Sequence, residues 1–386
     1  MTRPLILYLV TEDWAFCSHR LPTAQGAEDA GLRIGVMARM AQHGDAIRAL
    51  GYALYPLAWV RRSLNPFAAL RDLWQITAYY RRLRPQIVHH VALKAILLGG
   101  LAARIVPVPA QIAAVNGVGF IFTDDGLKAR LLRLGFVPLL RFAMRRPNVM
   151  AWFQNEDDRD LLLRLGIVTP AQSVILPGSG VDTEALQPLP EPDDGPVTCA
   201  YAGRMLHSKG VDLLVEAVQE IRRRGGDLRL LLAGSVDDNP TSFSGAELAA
   251  WARLPGVEYL GQVARIADLW ARAHIAVLPC RVREGLPKTL LDAAACARPI
   301  VASDVAGVRA VAQHGVNAIL VPPGDLTSLA RALGELAQDR ARRQNLGQAG
   351  RALVMGAMSA AAIRAQAATL YRRLLAENDA HKQTML

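Results

Sequence analysis

The sequence of 386 residues has little of what marks secreted, membrane-spanning or disordered chains. Its four cysteines, Cys17, Cys199, Cys280 and Cys296, lie far apart without a CxxC pair, which predicts reduced thiols and neither disulfides nor a metal site. No apolar run approaches the roughly 20 residues that cross a bilayer, and the first residues resemble a strand, not a signal peptide. Low-complexity tracts and internal repeats are also missing. We therefore expect a protein that is soluble or peripheral.

Charged residues make up 20% of the chain and hydrophobic residues 52%, which fits a large buried core and excludes long disordered tracts. The length exceeds what one core supports, so two domains of about 150–200 residues are expected. The net charge of +10 would attract anions, such as nucleic acid, phosphorylated substrates or an acidic membrane. Nucleic acid is not expected, because zinc spacings, RNP-like strands and aromatic–basic stripes are absent.

Apolar runs separated by helix-sized stretches predict two successive α/β domains with mostly parallel sheets. The first series of strands is Leu5–Val10, Arg33–Ala38, Ile87–His90, Gln111–Val115 and Val149–Phe153. The second is Val197–Tyr201, Leu228–Ala233, Val257–Leu260, Ile275–Leu278, Ile300–Ala302 and Ala318–Val321. We predict an N-terminal Rossmann-like domain at 1–185, a proline-rich acidic linker at 186–196, a C-terminal Rossmann-like domain at 197–359, and a helix within 360–386 that packs back across the junction.

Two carboxylates eight residues apart flank the start of a predicted helix. Glu284 and Asp292 follow a buried strand, with Pro287 expected in the first helical turn. A continuous helix would separate them by roughly 12 Å, comparable with the hexose-to-ribose distance in a nucleoside diphosphate sugar. The helix N-terminus between them would offer N–H groups and a positive dipole end to a diphosphate. The alternative is that both acids are ordinary solvated charges.

A second group of residues follows the strand that opens the second series. Arg204 and Lys209 flank a loop that starts at Gly203, at the strand end where ligands bind in open parallel sheets. Arginine binds phosphate in a bidentate manner and lysine acts as a mobile point charge, so the pair would neutralise a departing diphosphate. The alternative is two surface cations beside a helix cap.

The two motifs belong to a series of eight segments that runs along the chain: Glu12–Pro22, Ile87–His90, Asn116–Phe120, Phe153–Asp158, Pro177–Asp182, Gly203–Gly210, Glu284–Asp292, and Gly315–Asn317 with Val321–Asp325. In this order the segments resemble the retaining GT-B glycosyltransferases of family four, whose two Rossmann-like domains face each other across a cleft. The resemblance covers nearly the whole chain and favours the subgroup that assembles bacterial capsule, O-antigen or glycoprotein glycans.

The resemblance implies a transferase that moves a hexose or N-acetylhexosamine from a UDP-sugar to a bacterial glycan acceptor linked to polyprenyl diphosphate. The reaction would retain the anomeric configuration and need no metal or cofactor besides the donor. The catalytic residues would be Arg204 and Lys209, at the diphosphate, and Glu284, at the hexose. Further donor contacts would come from Gly203, Val263, Gly285, Leu286, Pro287, Lys288 and Asp292, with Asp292 on the ribose and the backbone around Val263 at the base.

Four residues of the first domain are candidates for the acceptor side of the cleft: Asp13, His19, His90 and Asn116. For His19 and Asp13, the alternative is a structural role in the loop after the first strand. Of the adjacent His89 and His90, at most one can face the cleft.

The sequence also departs from the family pattern. Asp292 stands where relatives have glutamate, Ala310 stands where glutamate is common, and Asn116 stands where many relatives have histidine. Asp292 and Ala310 keep a non-catalytic nucleotide-sugar-binding partner open as an alternative. An isomerase resembling the UDP-sugar 2-epimerases is another.

A basic and apolar segment, Lys128–Arg146, is typical of a helix at a membrane interface, although an ordinary amphipathic helix broken near Pro138 would look similar. We expect a cytoplasmic protein. Peripheral contact with the anionic inner face of the cytoplasmic membrane remains open.

Overall fold

The computed structural model describes residues 3–59, 65–123 and 126–384, and the chain divides into two units. The first unit comprises Met1–Gly180 with Ala360–Leu386, and the second comprises Val181–Ser359. Each unit is built around one sheet in which every strand pair is parallel. The predicted α/β class with two Rossmann-like domains is confirmed.

Central strands of the first unit are buried along their whole length, because helices cover both faces of a parallel sheet. The strands are β1 (Leu5–Glu12), β2 (Arg33–Arg39), β3 (Ala53–Pro56), β4 (Ile87–Val91), β5 (Ala110–Val115), β6 (Val149–Phe153) and β7 (Ser173–Ile175). The helices between them are α1 (Asp13–His19), α2 (Leu21–Asp29), α3 (Gly44–Ala49), α4 (Pro66–Leu83), α5 (Leu93–Ile105), α6 (Phe120–Thr123), α7 (Leu127–Met144) and α8 (Glu156–Arg164). The sheet order is β3-β2-β1-β4-β5-β6-β7.

The second unit repeats this arrangement. Its strands are β8 (Val197–Ala202), β9 (Leu228–Ala233), β10 (Val257–Gly261), β11 (Ile275–Leu278), β12 (Ile300–Ser303) and β13 (Ala318–Val321). Its helices are α9 (Val211–Arg223), α10 (Gly245–Trp251), α11 (Ile266–Ala271), α12 (Lys288–Ala295), α13 (Leu326–Gln338) and α14 (Arg340–Met355). The order β10-β9-β8-β11-β12-β13 reverses direction between β8 and β11. Ligands of open α/β sheets bind outside the carboxyl ends of the strands at such a reversal.

Helix α15 (Ala360–Thr384) belongs to the first unit, although the chain reaches it after completing the second. It packs on α2, where Arg364 forms a two-armed ion pair with Asp29 at 2.6 and 2.7 Å. Deeper in the same unit, the Tyr371 hydroxyl lies 2.8 Å from that of Tyr8 and 2.9 Å from His89 Nδ1. These buried contacts make α15 an integral layer of the first unit.

Residues 186–196, predicted to be an interdomain linker, lie in the second unit. The Leu189 N–H donates to the carbonyl of Cys296 at 3.3 Å. Glu191 forms a buried pair with Arg343, with two N–O distances of 2.9 and 3.1 Å. The segment is therefore pinned to the second unit along its length.

Candidate active site

At the carboxyl edge of the second sheet, backbone hydrogen bonds connect the ends of five strands and the loops that follow them. The bonds run from Gly203 N to Ala233 O (2.9 Å), Gly234 N to Gly261 O (2.7 Å), Arg281 N to Ser208 O (2.9 Å) and Glu284 N to Ala306 O (3.0 Å). The loop after β8 carries Arg204 and Lys209, and the loop after β11 carries Glu284. These two strands flank the reversal of strand order, so both predicted motifs lie at the position where the fold binds ligands.

An ion pair joins the two predicted motifs. Lys209 Nζ lies 2.7 Å from Glu284 Oε2, and each side chain is only 16% exposed. Burial lowers the pKa of Lys209, but the Glu284 carboxylate raises it more, so the pKa lies above its ordinary value. Cys280 Sγ donates to the other oxygen of Glu284 at 3.4 Å, and burial holds the pKa of this thiol well above its usual range. Lys209 is therefore a permanent cation whose position is fixed.

Arg204 supplies a second cation beside this pair. Its Nη1 lies 3.3 Å from Asp237 Oδ2, and its side chain is considerably more exposed than that of Lys209. The Tyr201 hydroxyl donates to the backbone carbonyl of Arg204 at 2.7 Å, which fixes the start of the loop. Two cations at one strand edge suit a ligand that carries phosphate.

Helix α12 begins at Lys288, with Pro287 just before it in an extended conformation. The expectation that Pro287 lies in the first helical turn is wrong, because the helix begins one residue later. Residues 284–287 form a loop, so the spacing of a continuous helix does not apply between Glu284 and Asp292. Asp292 is buried, and its Oδ1 lies 2.8 Å from Lys288 Nζ. Burial raises the pKa of Asp292 despite the opposing effect of Lys288.

The remaining donor candidates line the same edge. Gly285 is half-buried and Leu286 is buried, both in the loop before α12. Val263 lies in the loop after β10, adjacent to the Gly261 carbonyl that receives Gly234 N.

Two glycines that sequence reasoning missed allow these loops to approach one another. Gly234 has φ +145°, and a Cβ there would overlap the carbonyl oxygen of Gly203. Gly307 has φ +80°, and a Cβ there would overlap the carbonyl oxygens of both Glu284 and Gly285. Each glycine directly follows or closely follows a strand, which is the signal that could have identified them. Asp237 was missed because its partner Arg204 lies 33 residues away in sequence. Cys280 was missed although it lies only four residues from Glu284, because an isolated cysteine gives no sign of a hydrogen bond to a carboxylate.

His90 lies in the core of the first unit. Its side chain is 1% exposed, and its Nε2 lies 2.8 Å from the Tyr80 hydroxyl. Burial lowers the pKa of His90 to about 3. His89 is equally buried, stacked on Tyr8 with ring centroids 4.8 Å apart. Neither imidazole has a surface to offer an acceptor in this conformation.

Acidification is expected to destabilise the first unit through these histidines. In the native state His90 stays neutral down to a pH of about 3, whereas in the unfolded chain it binds a proton below a pH of about 6.5. The free energy of unfolding is therefore at its full value above a pH of about 6.5 and decreases as the pH falls towards 3. The loss is about 1.4 kcal/mol per pH unit for each such group. Denaturant unfolding between pH 7 and 4 measures it, and H90Q should have a shallower dependence. An identical slope in the variant would contradict the assignment.

Asp13 is fully buried at the start of α1. Its carboxylate accepts backbone hydrogen bonds from Trp14 (2.8 Å), Ala41 (2.7 Å) and His43 (2.9 Å). Burial raises the pKa of Asp13, but these N–H donors lower it more, so the pKa lies below its ordinary value. The carboxylate thus ties the start of α1 to the loop after β2.

His19 and Asn116 lie at the carboxyl edge of the first sheet. His19 Nδ1 lies 3.0 Å from Ser179 Oγ, in the Gly178–Gly180 turn. Asn116 directly follows β5 and is half-buried, and its Oδ1 accepts hydrogen bonds from Arg20 and, at 3.2 Å, from Gln154. The structure thus places the acceptor candidates in the first unit and the donor candidates in the second.

Two family models match this chain. Residues 5–152 match "Glycosyl transferase 4-like" and residues 196–339 match "Glycosyl transferases group 1". The chain is 25% identical, over 85% of its length and 88% of the relative's, to N,N'-diacetylbacillosaminyl-diphospho-undecaprenol alpha-1,3-N-acetylgalactosaminyltransferase of Campylobacter jejuni. It is 23% identical, over 83% and 85% of the two chains, to the capsular polysaccharide biosynthesis glycosyltransferase CapM of Staphylococcus aureus.

Solved structures have the same fold. Sucrose-phosphate synthase from Thermosynechococcus elongatus superposes with a TM-score of 0.80 at 19% identity, over 97% of this chain and 100% of that one. Anabaena HepE in complex with UDP and glucose superposes with a TM-score of 0.75 at 14% identity, over 95% and 99%. With both family models in chain order, one on each parallel-sheet unit, the chain belongs to the GT-B glycosyltransferases of family four.

Proposed function

We propose that this glycosyltransferase moves a hexose or N-acetylhexosamine from a UDP-sugar to a bacterial glycan acceptor linked to polyprenyl diphosphate. The observation that carries the proposal is the Lys209–Glu284 pair, which holds a cation and a carboxylate 2.7 Å apart at the strand reversal of the second sheet. This combination suits a nucleotide sugar, because its diphosphate is anionic and its sugar hydroxyls donate to carboxylates.

In this proposal, Lys209 and Arg204 bind the diphosphate and Glu284 binds the hexose. Asp292 accepts from the ribose hydroxyls, sharing its carboxylate with Lys288. The phosphate pocket is shaped by the backbone of Gly203, Gly285, Leu286 and Pro287 and by the Lys288 amide. The backbone around Val263 receives the base. Binding of UDP and glucose by HepE, which shares the fold, supports a nucleotide-sugar site.

We further propose that transfer retains the anomeric configuration. The acceptor hydroxyl attacks the anomeric carbon from the leaving-group face, the bond to the diphosphate oxygen breaks, and the hydroxyl proton passes to that diphosphate. The charge that develops on the leaving group is met by Lys209 and Arg204, so the mechanism calls for no metal. The Glu284 carboxylate is occupied by Lys209 and Cys280, which favours a binding role over that of a covalent nucleophile.

The lipid-linked acceptor is supported by the surface formed by α4, α5 and α7, which pack side by side. Phe67, Leu70 and Trp74 form an exposed apolar stripe on α4, and Trp74 is 72% exposed. Helix α7 runs through Pro138 without ending, burying Leu140, Ala143 and Met144 while exposing Leu127, Leu131, Leu134, Leu139 and Phe142.

Charge on this surface is of one sign. Within the described residues of α4, α5 and α7, the sole acidic residue is Asp72, which is buried and paired with Lys94 at 3.0 Å. Arginines with apolar neighbours suit the surface of an anionic bilayer, where the lipid-linked acceptor resides. Along the described chain, none of the helices is long and apolar enough to span a membrane.

The double variant F67S/W74S is expected to weaken binding to vesicles containing phosphatidylglycerol by at least about tenfold, because each side chain buries apolar area in the bilayer. Sedimentation with vesicles measures the affinity. M355S removes an exposed apolar side chain of the second unit and should leave binding unchanged. Equal losses in both proteins would count against this surface.

A panel of nucleotide sugars, with bacterial lipid extract as acceptor and product detection by mass spectrometry, tests the proposed function. We expect transfer from a UDP-sugar that is strictly dependent on acceptor and resistant to EDTA. Conversion of a UDP-sugar without acceptor would favour the isomerase alternative. UDP binding without transfer to any acceptor would favour a non-catalytic partner.

A further inference from the structure

Arg20 is a buried cation for which the described residues supply no counter-charge. Its side chain is 0% exposed, and its Nε and Nη1 have no hydrogen-bond partner in the described part of the chain. Two other buried arginines are satisfied: Arg343 pairs with Glu191, and Arg298 donates to the carbonyls of Trp270 (2.8 Å) and Pro190 (2.7 Å). A buried guanidinium without an anion is costly, so Arg20 calls for a specific explanation.

Among the described residues, the one side chain that accepts a hydrogen bond from Arg20 is Asn116, through Arg20 Nη2 and Asn116 Oδ1. Because a guanidinium can only donate, this contact fixes the orientation of the Asn116 amide. Gln154 Nε2 donates to the same oxygen at 3.2 Å. Gln154 is itself held against the backbone of Gly178, where a Cβ would overlap its amide. With Oδ1 occupied twice, the Asn116 Nδ2 group is the polar end that remains for a ligand.

The location of this group also favours a ligand. Asn116 directly follows β5 and Gln154 directly follows β6, at the carboxyl edge of the first sheet. The Nδ2 group offers only donors, and the uncompensated charge of Arg20 behind it strengthens those donors. A neutral hydroxyl would leave that charge unbalanced. An anionic oxygen would balance it.

We propose that Asn116 donates to a phosphoryl oxygen of a substrate and that Arg20 is the positioning residue that orients and polarises its amide. The proposal deepens and rests on the proposed function, in which both substrates carry a diphosphate. Arg20 itself does not touch the ligand, since none of its surface is exposed.

Steady-state kinetics of N116D, R20Q and R20K test the proposal, with R298Q as the control for loss of a buried arginine. N116D gives Arg20 a carboxylate partner, so its thermal midpoint should stay the same or rise, while the KM of one substrate rises at least tenfold. R20Q keeps a donor but loses the charge and should also raise that KM at least tenfold. R20K keeps the charge and should stay within about threefold. A rise in the KM of the donor or of the acceptor identifies which diphosphate is bound.

Opposite effects on stability and KM separate this role from a structural one. N116D with both KM values within twofold of the wild type, at an unchanged or raised thermal midpoint, would overturn the proposal. If the wild type transfers no sugar, the proposed function fails and binding of inorganic pyrophosphate by calorimetry decides. Pyrophosphate binding that is lost in N116D and R20Q but kept in R298Q supports the site. Equal pyrophosphate binding by the wild type and these three variants overturns the proposal, and so does the absence of binding by all four proteins.

Discussion

Lys209→Ala should lower kcat by about a hundredfold to a thousandfold, or about 3–4 kcal/mol of transition-state stabilisation. Negative charge develops on the departing diphosphate, and Lys209 is a cation held in place by Glu284 at 2.7 Å. Removing it also leaves Glu284 as an unpaired carboxylate beside the same diphosphate, which adds repulsion. Donor turnover under saturating conditions measures the effect.

Lys94→Ala is the matched control for this prediction. Lys94 pairs with Asp72 at 3.0 Å, and its side chain is 19% exposed, close to the 16% of Lys209. Both variants therefore lose a part-buried ion pair of similar geometry. The midpoint temperature of thermal unfolding should fall by a similar amount in the two proteins. With acceptor in detergent micelles, only Lys209→Ala should lose turnover. Comparable losses in both variants would mean that destabilisation, not chemistry, accounts for the effect.

Gly307→Ala should reduce kcat by more than tenfold without touching any side chain of the site. A Cβ at Gly307 would overlap the carbonyl oxygens of Glu284 and Gly285, so the backbone of that loop must move. The Glu284 N–H bond to Ala306 would be strained by the same shift. Lys209 Nζ lies 2.7 Å from Glu284 Oε2, so moving the Glu284 loop by roughly 1 Å would break this ion pair.

Gly315→Ala is the matched control for Gly307→Ala. Gly315 has φ +77°, nearly the same as the +80° of Gly307, but no atom lies within 4 Å of its added Cβ. Both substitutions therefore cost about 1–2 kcal/mol for an alanine in the left-handed region, and only Gly307→Ala displaces the loop. Circular dichroism and kinetics on both proteins separate backbone strain from disruption of the site. Equal kcat values would show that Glu284 tolerates the movement.

Much of the fold could be predicted from sequence, because central strands of parallel sheets are continuous apolar runs. The edge strands β3 and β7 could not, since they are four and three residues long and only partly buried. The spatial order of the strands in each sheet also differs from their order in the chain and could not be predicted from the sequence. That order is what places the loop after β8 beside the loop after β11, and so brings Lys209 to Glu284.

The candidate site was predictable to the level of motifs but not of partners. Glu284 and Lys209 were each chosen for their own strand ends, and their contact spans 75 residues of sequence. His90 shows the opposite limit: an imidazole at a strand end looks like a ligand contact until Tyr80 and Gly99 enclose it. Burial of a polar side chain depends on what packs over it, which no local pattern encodes.

The membership of α15 in the first unit has a consequence for biosynthesis. Residues 360–374 emerge from the ribosome after the whole of the second unit, yet Tyr371 and Leu374 complete the core around Tyr8. During translation the second unit can fold before α15 is synthesised, while the sheet of the first unit still has an apolar face exposed to solvent. The half of the chain that is synthesised first is therefore the half that completes its core last, and in the interval its exposed apolar surface favours aggregation.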